Sequence, residues 1–454
     1  MTIRTPGRPM FATLLAALVV AAAPSASALT QQNTGRAASI DTSGALNMRV
    51  IAHNDLGGGD LGKGGEGFSE VPTADGHRIL YVANESGPVC FSVLDVTDPT
   101  NPTLLERVNV QNADVRCNNL DASGHLLAVA NQVTEAGQAG AGVQVFDISD
   151  PRHPRQVGDF DTSGPFSRGA HYVWFADGRY LHISTGMPDF QPRRPNLDDQ
   201  IYVIADLADP AHPKEVGRWW YPGTREGDPA PLPTPNRLDN GCRMHNAEVF
   251  PSRPDRAYIG FIDCGIVILD ISDKAHPSVV GTVDDSPPEP GFTHTVMPLR
   301  GGKYLAVTHE AVDDFCADFP KLVTFFDARD PARPQRISAA PLPANTADLC
   351  EAGGRFGAHN IHENYPDELA FHSDRLIVGS FFGGGVRVYD VSDIQHPREV
   401  AFDVPPAPAG STVGTIQIND VYVDDRGVLF AVDRFGGGLY VLRSPVIDRE
   451  LHSS

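Results

Sequence analysis

Four histidines recur at one position of a repeated pattern, and imidazoles held at one level make a metal-binding set. When the apolar runs are aligned on the hairpin turns that follow them, this register reads Ser69, Cys117, His171, His245, His294, His359 and Asn419. Imidazole is the commonest metal ligand and suits iron, copper and zinc. Crowding several imidazoles together without a metal would leave polar rings poorly satisfied. The competing reading is a wet channel in which the rings bond only to water. A single histidine would favour that reading; four at one register favour a divalent transition metal (Fe, Cu or Zn).

Further polar residues fall near the same level. The ends of the second strands carry Asn84-Glu85, His309-Glu310 and Asp433-Arg434. Glu310 and Glu363 could orient imidazole N–H groups or act as general bases. Arg434 could hold an anionic substrate or neutralise Asp433. His362 lies three residues after His359, so on a strand it points the opposite way unless a bulge intervenes. The expected metal set is therefore His171, His245, His294, His359 and His362, with Glu310, Glu363 and Arg434 as catalytic groups. His153, His212, His276 and His396 each precede a proline in a turn and are expected to do no chemistry. There is no His-Glu-x-x-His, no Gly-x-Ser-x-Gly and no Cys-x-x-Cys, which weighs against a zincin, a serine hydrolase and a zinc knuckle.

The elements that must position these groups come from a phrase that returns along the chain. It reads Phe91-Ser-Val-Leu-Asp95-Val-Thr-Asp98-Pro99, then Val143-Gln-Val-Phe-Asp147-Ile-Ser-Asp150-Pro151, then Ile201-Tyr-Val-Ile-Ala-Asp206-Leu-Ala-Asp209-Pro210. Later copies end at Asp270, Asp327 and Asp390, and a degenerate one at Arg443. The anchors lie 52, 59, 64, 57, 63 and 53 residues apart. Each copy is an apolar run of strand length, an Asp-Pro turn and usually a second proline opening another strand. Periods near 40–50 residues with several strands each indicate propeller blades. The expected fold is all-β: a seven-bladed β-propeller with four antiparallel strands per blade, its ring closed by an N-terminal strand around Asn47–Ala52.

The expected organisation is a signal peptide at 1–28, a flexible segment at 29–45, the propeller at 46–445 and a tail at 446–454. Arg4 and Arg8, the apolar run Phe11–Ala23 and Ala26-Ser27-Ala28 have the form of a secretory signal cut after Ala28. The protein is thus expected to be secreted or periplasmic, with no membrane insertion. The net charge of −21 disfavours nucleic acid as a partner; a small-molecule substrate or a protein partner remains open. Six cysteines in an exported chain imply disulfides. Cys242 and Cys264 flank one hairpin, Cys316 and Cys350 lie in long loops, and Cys90 is left with Cys117.

The phrases Ile266-Val-Ile-Leu-Asp270, Gly357-Ala-His-Asn-Ile-His-Glu-Asn364, Gln417-Ile-Asn-Asp-Val421 and Asp433-Arg-Phe-Gly-Gly437 resemble the LVIVD-repeat proteins, bacterial β-propellers that are often exported. The resemblance runs from about Asn47 to Leu442 and implies the fold. A looser similarity joins such chains to selenium-binding and methanethiol-oxidase propellers. Carotenoid oxygenases likewise hold iron with histidines from several blades, an analogy of architecture alone. Three register positions that are not histidine leave ligand number and metal open. The functional expectation is an exported metalloprotein, first of all a metal-dependent oxidoreductase of a small substrate. A non-catalytic scaffold that presents Phe381-Phe382 or Trp219-Trp220-Tyr221 is the alternative, and metal-assisted hydrolysis or lyase chemistry the next.

Overall fold

The aspartate that ends each apolar phrase builds a turn with its own carboxylate. Asp95, Asp147, Asp270 and Asp390 each accept, through Oδ1, the backbone N–H two residues on, at 2.9–3.0 Å. This Asx geometry ends a strand and reverses the chain without a glycine. The second aspartate of the phrase repeats the device, as at Asp98 and Asp150. His212, His276 and His396 face the carboxylates of Asp209, Asp273 and Asp393 on these exposed turns.

The computed structural model describes residues 40–58, 63–110, 114–234, 236, 238–284, 286 and 289–452. The expected signal peptide, and all but the end of the segment that follows it, lie outside these residues. Strand β1 (Gly44–Leu46) and β2 (Arg49–Asn54) come first. Then follow β3 (Gly64–Pro72), β4 (Arg78–Asn84), β5 (Val89–Asp95) and β6 (Thr103–Asn109), and β7 (Val115–Ser123), β8 (Leu126–Val133), β9 (Gly142–Asp147) and β10 (Arg155–Asp161). The next three groups are β11 (Ala170–Phe175), β12 (Tyr180–Thr185), β13 (Ile201–Asp206) and β14 (Lys214–Trp219); β15 (Ala247–Phe250), β16 (Arg253–Gly260), β17 (Ile266–Asp270) and β18 (Ser278–Val283); and β19 (Thr293–Leu299), β20 (Tyr304–His309), β21 (Val323–Asp327) and β22 (Gln335–Ala339). After helix α1 (Thr346–Glu351) come β23 (Leu376–Ser380), β24 (Val386–Asp390), β25 (Arg398–Val404), β26 (Ile418–Val423), β27 (Val428–Asp433), β28 (Leu439–Arg443) and helix α2 (Pro445–Leu451).

All ladders are antiparallel meanders. β11–β14, β15–β18 and β19–β22 are separate four-stranded sheets, while β3–β6 and β7–β10 are joined into one sheet of eight by the Asn84–Cys117 pair. The last two sheets borrow strands from the other end of the chain. β1 pairs with β25 (Leu46 opposite Phe402), and β2 pairs with β28 (Val50 opposite Leu442). The central strands are almost wholly buried and the outermost ones half exposed, as β5 and β6 illustrate. Outer strands press on the next sheet's turn: a Cβ at Gly158 or Gly217 would stand 2.2 or 2.1 Å from the carbonyl oxygen of Pro210 or Lys274. Three disulfides join the expected partners, Cys90–Cys117, Cys242–Cys264 and Cys316–Cys350. Such bonds persist in oxidising compartments. Among the described residues, no helix is long and apolar enough to cross a membrane.

Candidate metal centre

Bulges in five of the innermost strands deliver side chains to a common level. The ladder slips by one residue between Ala170 and Tyr172, between Cys117 and Asn119, and between Ile418 and Asp420, so His171, Asn118 and Asn419 are the extra residues. His294 lies in the slip between Thr293 and Val296, and Glu66 in a wider one between Gly64 and Phe68. A bulge re-aims the residue it frees from the ladder. His245 and His359 precede regular pairing but repeat the geometry: their N–H groups donate to Gly260 and Ser380 carbonyls.

These residues meet. His171 Nε2 and His245 Nε2 are 2.9 Å apart, and the ring centroids of His245 and His294 lie 3.8 Å apart, those of His294 and His359 4.7 Å. Glu66 stands among them, 3.6 Å from His171 Nε2, 3.9 Å from His294 Nε2 and 3.6 Å from His359 Nε2. Glu310 reaches His245 Nε2 at 3.8 Å and His359 Nε2 at 3.6 Å, and its other contact is Arg355 at 3.0 Å. Three triads, each with ligand atoms within 4.8 Å of one another, combine Glu66 or Glu310 with two of the four histidines.

The other ring nitrogens are all anchored outward. His359 Nδ1 faces the backbone oxygen of Asn419 at 2.6 Å, which can only accept, so the proton is on Nδ1. His294 Nδ1 contacts Thr295 Oγ1 and His245 Nδ1 contacts Asn246 Oδ1, both at 2.8 Å, and His171 Nδ1 contacts Gln132 Oε1 at 3.2 Å. With protons on Nδ1, four Nε2 lone pairs point at one another. Those of His294 and His359, with Glu66 Oε2, are buried and have no hydrogen-bond partner. Metal-ligating histidines are oriented in this way. The 2.9 Å between His171 Nε2 and His245 Nε2 suits a proton shared between them, and it equally suits two nitrogens bound about 2.1 Å from one cation at a right angle, which stand about 3 Å apart. The residues fit a metal.

Burial first, and the cationic neighbours second, push the pKa of His171 well below the usual value; burial likewise takes His245 and His359 to about 4. The rings are neutral at pH 7, the form in which an imidazole can ligate a metal. Burial, then the charges of Glu310 and Glu85, raise Glu66 to about 8. Burial also opposes ionisation of Glu310, but His359, Arg355 and His245 outweigh it and hold its pKa down.

Of the residues singled out from sequence, His171, His245, His294, His359 and Glu310 come together here. His362 does not join them. Its Nδ1 accepts from Val423 N–H and its Nε2 faces Phe371 O at 2.6 Å, so neither nitrogen is free to ligate. The strand alternation that turns it away from His359 is upheld, and it packs beside Tyr365 and Tyr422. Glu363 lies beneath the ring and touches no histidine; it binds Tyr172 Oη, Asn246 Nδ2 and Thr295 Oγ1 instead. Arg434 sits at the mouth, on Glu85 and Asn419 Oδ1. Asp433, offered as its counter-ion, spends its carboxylate on the backbone N–H groups of Gln417, Phe435 and Gly437.

Alignment on the hairpin turns puts Ser69 and Cys117 at the ring level, where the structure has Glu66 and Asn118. Ser69 lies deeper, donating to Asp121, and Cys117 is in a disulfide. A signal for Glu66 is present in Gly64-Gly-Glu-Gly67. A Cβ at Gly65 or Gly67 would come within 2.5 or 2.4 Å of the β7 backbone, so the glycines allow β3 to press against its neighbour. Phe381 and Phe382 are buried, and Phe382 stacks on His359, so neither offers a recognition surface. Trp219 packs on Phe261. His171 and His245, with Glu66 and Glu310, line a cavity of about 260 Å³. A larger cleft of about 500 Å³, lined by Phe250, Tyr258 and Pro366, has no comparable convergence of titratable groups.

The LVIVD-repeat model matches residues 80–110 and 255–285, and the chain carries LVIVD repeats. No curated protein matches the sequence. Among solved structures the chain is similar to the β-propeller domain of Cps50 (Swd1) from Myceliophteria thermophila, at 12% identity and TM-score 0.51, covering 83% of this chain and 96% of that one. It is also similar to U3-55K, at 9% identity and TM-score 0.52, covering 87% and 98%. At such identities the likeness concerns the fold alone, and the fold is a β-propeller.

Proposed function

We propose that this chain is an exported, seven-bladed propeller metalloenzyme, an oxidoreductase acting on a small substrate at the histidine-lined mouth of its channel. Seven four-stranded units result when β3–β6 and β7–β10 count separately and the last two sheets are completed by β1 and β2. Ring closure is supported by Asn419 of β26, whose Nδ2 donates to the Gly64 and Gly65 carbonyls of β3. Export is supported by the three disulfides and by the form of the first residues.

The observation that carries the metal reading is the split between the two nitrogens of each imidazole: Nδ1 tied outward, Nε2 pooled inward with Glu66. His171, His245, His294 and His359 would hold the ion, with the Glu66 carboxylate as a further ligand or charge partner. Bound there, a redox-active metal would supply one-electron or oxygen chemistry, and zinc would polarise a substrate oxygen. Soft sulfur donors are absent from the described ring, and neutral imidazoles suit iron or copper as well as zinc. Glu310 spans the distance from His245 and His359 to Arg355 at the rim, where its carboxylate can take or return a substrate proton. Phe292 and Val312 line the same cavity and restrict water.

The test is metal analysis of the mature protein purified without chelator, followed by anaerobic reconstitution with Fe(II), Cu(II) or Zn(II). Near-stoichiometric metal in the wild type, lost in both His245→Ala and His294→Ala, is expected. Turnover with iron or copper but not zinc supports oxidation chemistry; turnover with zinc alone assigns hydrolysis or a lyase step. A folded wild type that refuses all three metals overturns the reading in favour of a scaffold.

A further inference from the structure

Nitrogen donors without acceptors collect at the mouth above the histidines. Arg116 Nε and Gln200 Nε2 are buried and have no hydrogen-bond partner, and the same is true of Asn240 Nδ2. All three residues line the same cavity as His171 and His245. Arginine nitrogen can only donate, so the partner missing at Arg116 is an acceptor. An unmade bond to a buried donor costs about 1–3 kcal/mol, and a ligand that makes the bond recovers it.

Charge points the same way. Arg116, Arg168, Arg243, Arg355 and Arg434 line the cavity. Glu85 serves both Arg116 and Arg434, Asp199 pairs with Arg168 and Glu310 with Arg355. Arg243 makes no ion pair among the described residues, and the charges of Asp199, Glu310 and Asp263 reach it only at longer range; its Nη1 bonds the backbone oxygens of Asn196 and Asn240. Five arginines and two carboxyl groups, Glu66 and Glu310, line the cavity, and Glu85 and Asp199 pair with three of those arginines from outside its lining. This local positive excess stands in a chain whose formal charge is −21. A recessed site of one sign with low-dielectric walls concentrates ions of the other.

We propose that this mouth binds the oxoanion head of a small substrate, a carboxylate or a phosphate, between Arg116, Gln200 and Arg243. The planar guanidinium fork matches either group. The anion would fix one end of the molecule while its reacting end lies over the four Nε2 atoms. From sequence Arg434 could hold an anionic substrate or neutralise Asp433, but that side chain is already spent on Glu85. This inference rests on the metal reading only in calling the bound molecule a substrate; anion binding itself needs no metal.

The experiment is calorimetric titration of chelator-stripped wild type with acetate, benzoate and inorganic phosphate, with acetamide as the uncharged control. Repeating it on metal-loaded protein completes the design. Saturable binding of an anion but not of acetamide is expected, with tighter binding after metal loading. Carboxylates binding better than phosphate assigns a carboxylate head, and the reverse order a phosphate. Arg243→Gln and Gln200→Ala should each weaken binding at least tenfold, Arg243→Lys less, and the remote surface change Arg152→Gln not at all. Thermal unfolding of each variant separates a lost site from a lost fold. If metal binds stoichiometrically and no anion does, the inference fails and the metal reading stands. Anion binding without any metal uptake removes the metal and keeps the anion site. Binding unaltered in Arg243→Gln and Gln200→Ala places the anion elsewhere and overturns the proposal.

Discussion

Asn246 donates through Nδ2 to Glu363 Oε1 at 2.9 Å, and that bond decides which way its amide faces. With the NH₂ group committed to Glu363, and also to Thr295 Oγ1 at 3.0 Å, the amide oxygen is left to accept from His245 Nδ1. Thr295 repeats the arrangement: its hydroxyl donates to Glu363 at 3.3 Å and its oxygen accepts from His294 Nδ1. One buried carboxylate thus sets the tautomer of two ring histidines without touching either. Glu363→Gln can offer its NH₂ where Oε1 accepted, which would turn Asn246 around and move a proton toward His245 Nε2. The expected result is a roughly 10–100-fold loss of metal affinity, the usual range for such outer partners, with the stoichiometry retained at high metal. Competition titration against a chromophoric chelator measures it. An unchanged affinity would mean that the imidazoles are held by packing alone.

His362 and His294 make opposite predictions although both are fully buried histidines. His294→Ala removes an unpartnered Nε2 from the ring, so bound metal should fall toward zero while stability changes little or rises as ring crowding is relieved. His362→Ala leaves Val423 N–H and Phe371 O without their partner. It should therefore cost about 1–3 kcal/mol for each buried group left unpaired and leave the metal content as it was. Metal analysis alongside urea denaturation of both variants checks the contrast. Metal lost from His362→Ala in a folded state would return this residue to the ligand set.

The parts of the site that can be read from sequence are those fixed by local chemistry. An Asp that caps its own turn and a proline that opens the next strand are short-range events. The repeat, the strands and hence the level of His171, His245, His294 and His359 therefore follow from the residues alone. Glu66 and Asn118 escape such a reading because bulges shift the register. The extra residues between Gly64 and Phe68 exist only as a pairing to β4, and nothing in a single strand announces them beyond the glycines. The arginines of the mouth lie mostly in loops, which have no periodicity to align. Glu363 is legible as an orienting group, but its action through Asn246 and Thr295 needs three inner strands side by side.

Cys90 on β5 and Cys117 on β7 tie the two halves of the eight-stranded sheet beside the bulge that presents Asn118. They close a sequence separation of 27 residues. On the chain-entropy account a loop of that length is worth about 3.5 kcal/mol through the unfolded state. The Cys90→Ser, Cys117→Ser double variant should lose about that much in guanidinium denaturation. It should also bind metal more weakly, because Asn118 Nδ2 approaches His171 at 3.4 Å. A stability loss with no change in metal affinity would confine the bond to a structural role.

Asp367 supplies a pH dependence that is independent of the metal. Its Oδ2 is buried without a partner, and burial raises its pKa from 3.8 to about 7. The native state therefore keeps a proton that the unfolded chain releases near 3.8. A carboxyl raised in this way favours folding at low pH, and its contribution declines as pH rises toward 7, then stays flat. Asp121, buried nearby and raised by burial and by Asp367 itself, adds a term of the same sign. His362 acts oppositely, because burial lowers it from 6.5 to about 4 and stability is gained as pH rises between those values. Comparing wild type with Asp367→Asn cancels the histidine, since both proteins contain it. Urea denaturation of chelator-treated protein at pH 5 and pH 8 should show the wild type losing stability relative to the variant across that interval. Parallel behaviour of the two proteins would mean that water reaches the Asp367 carboxyl and that its proton is released at an ordinary pH.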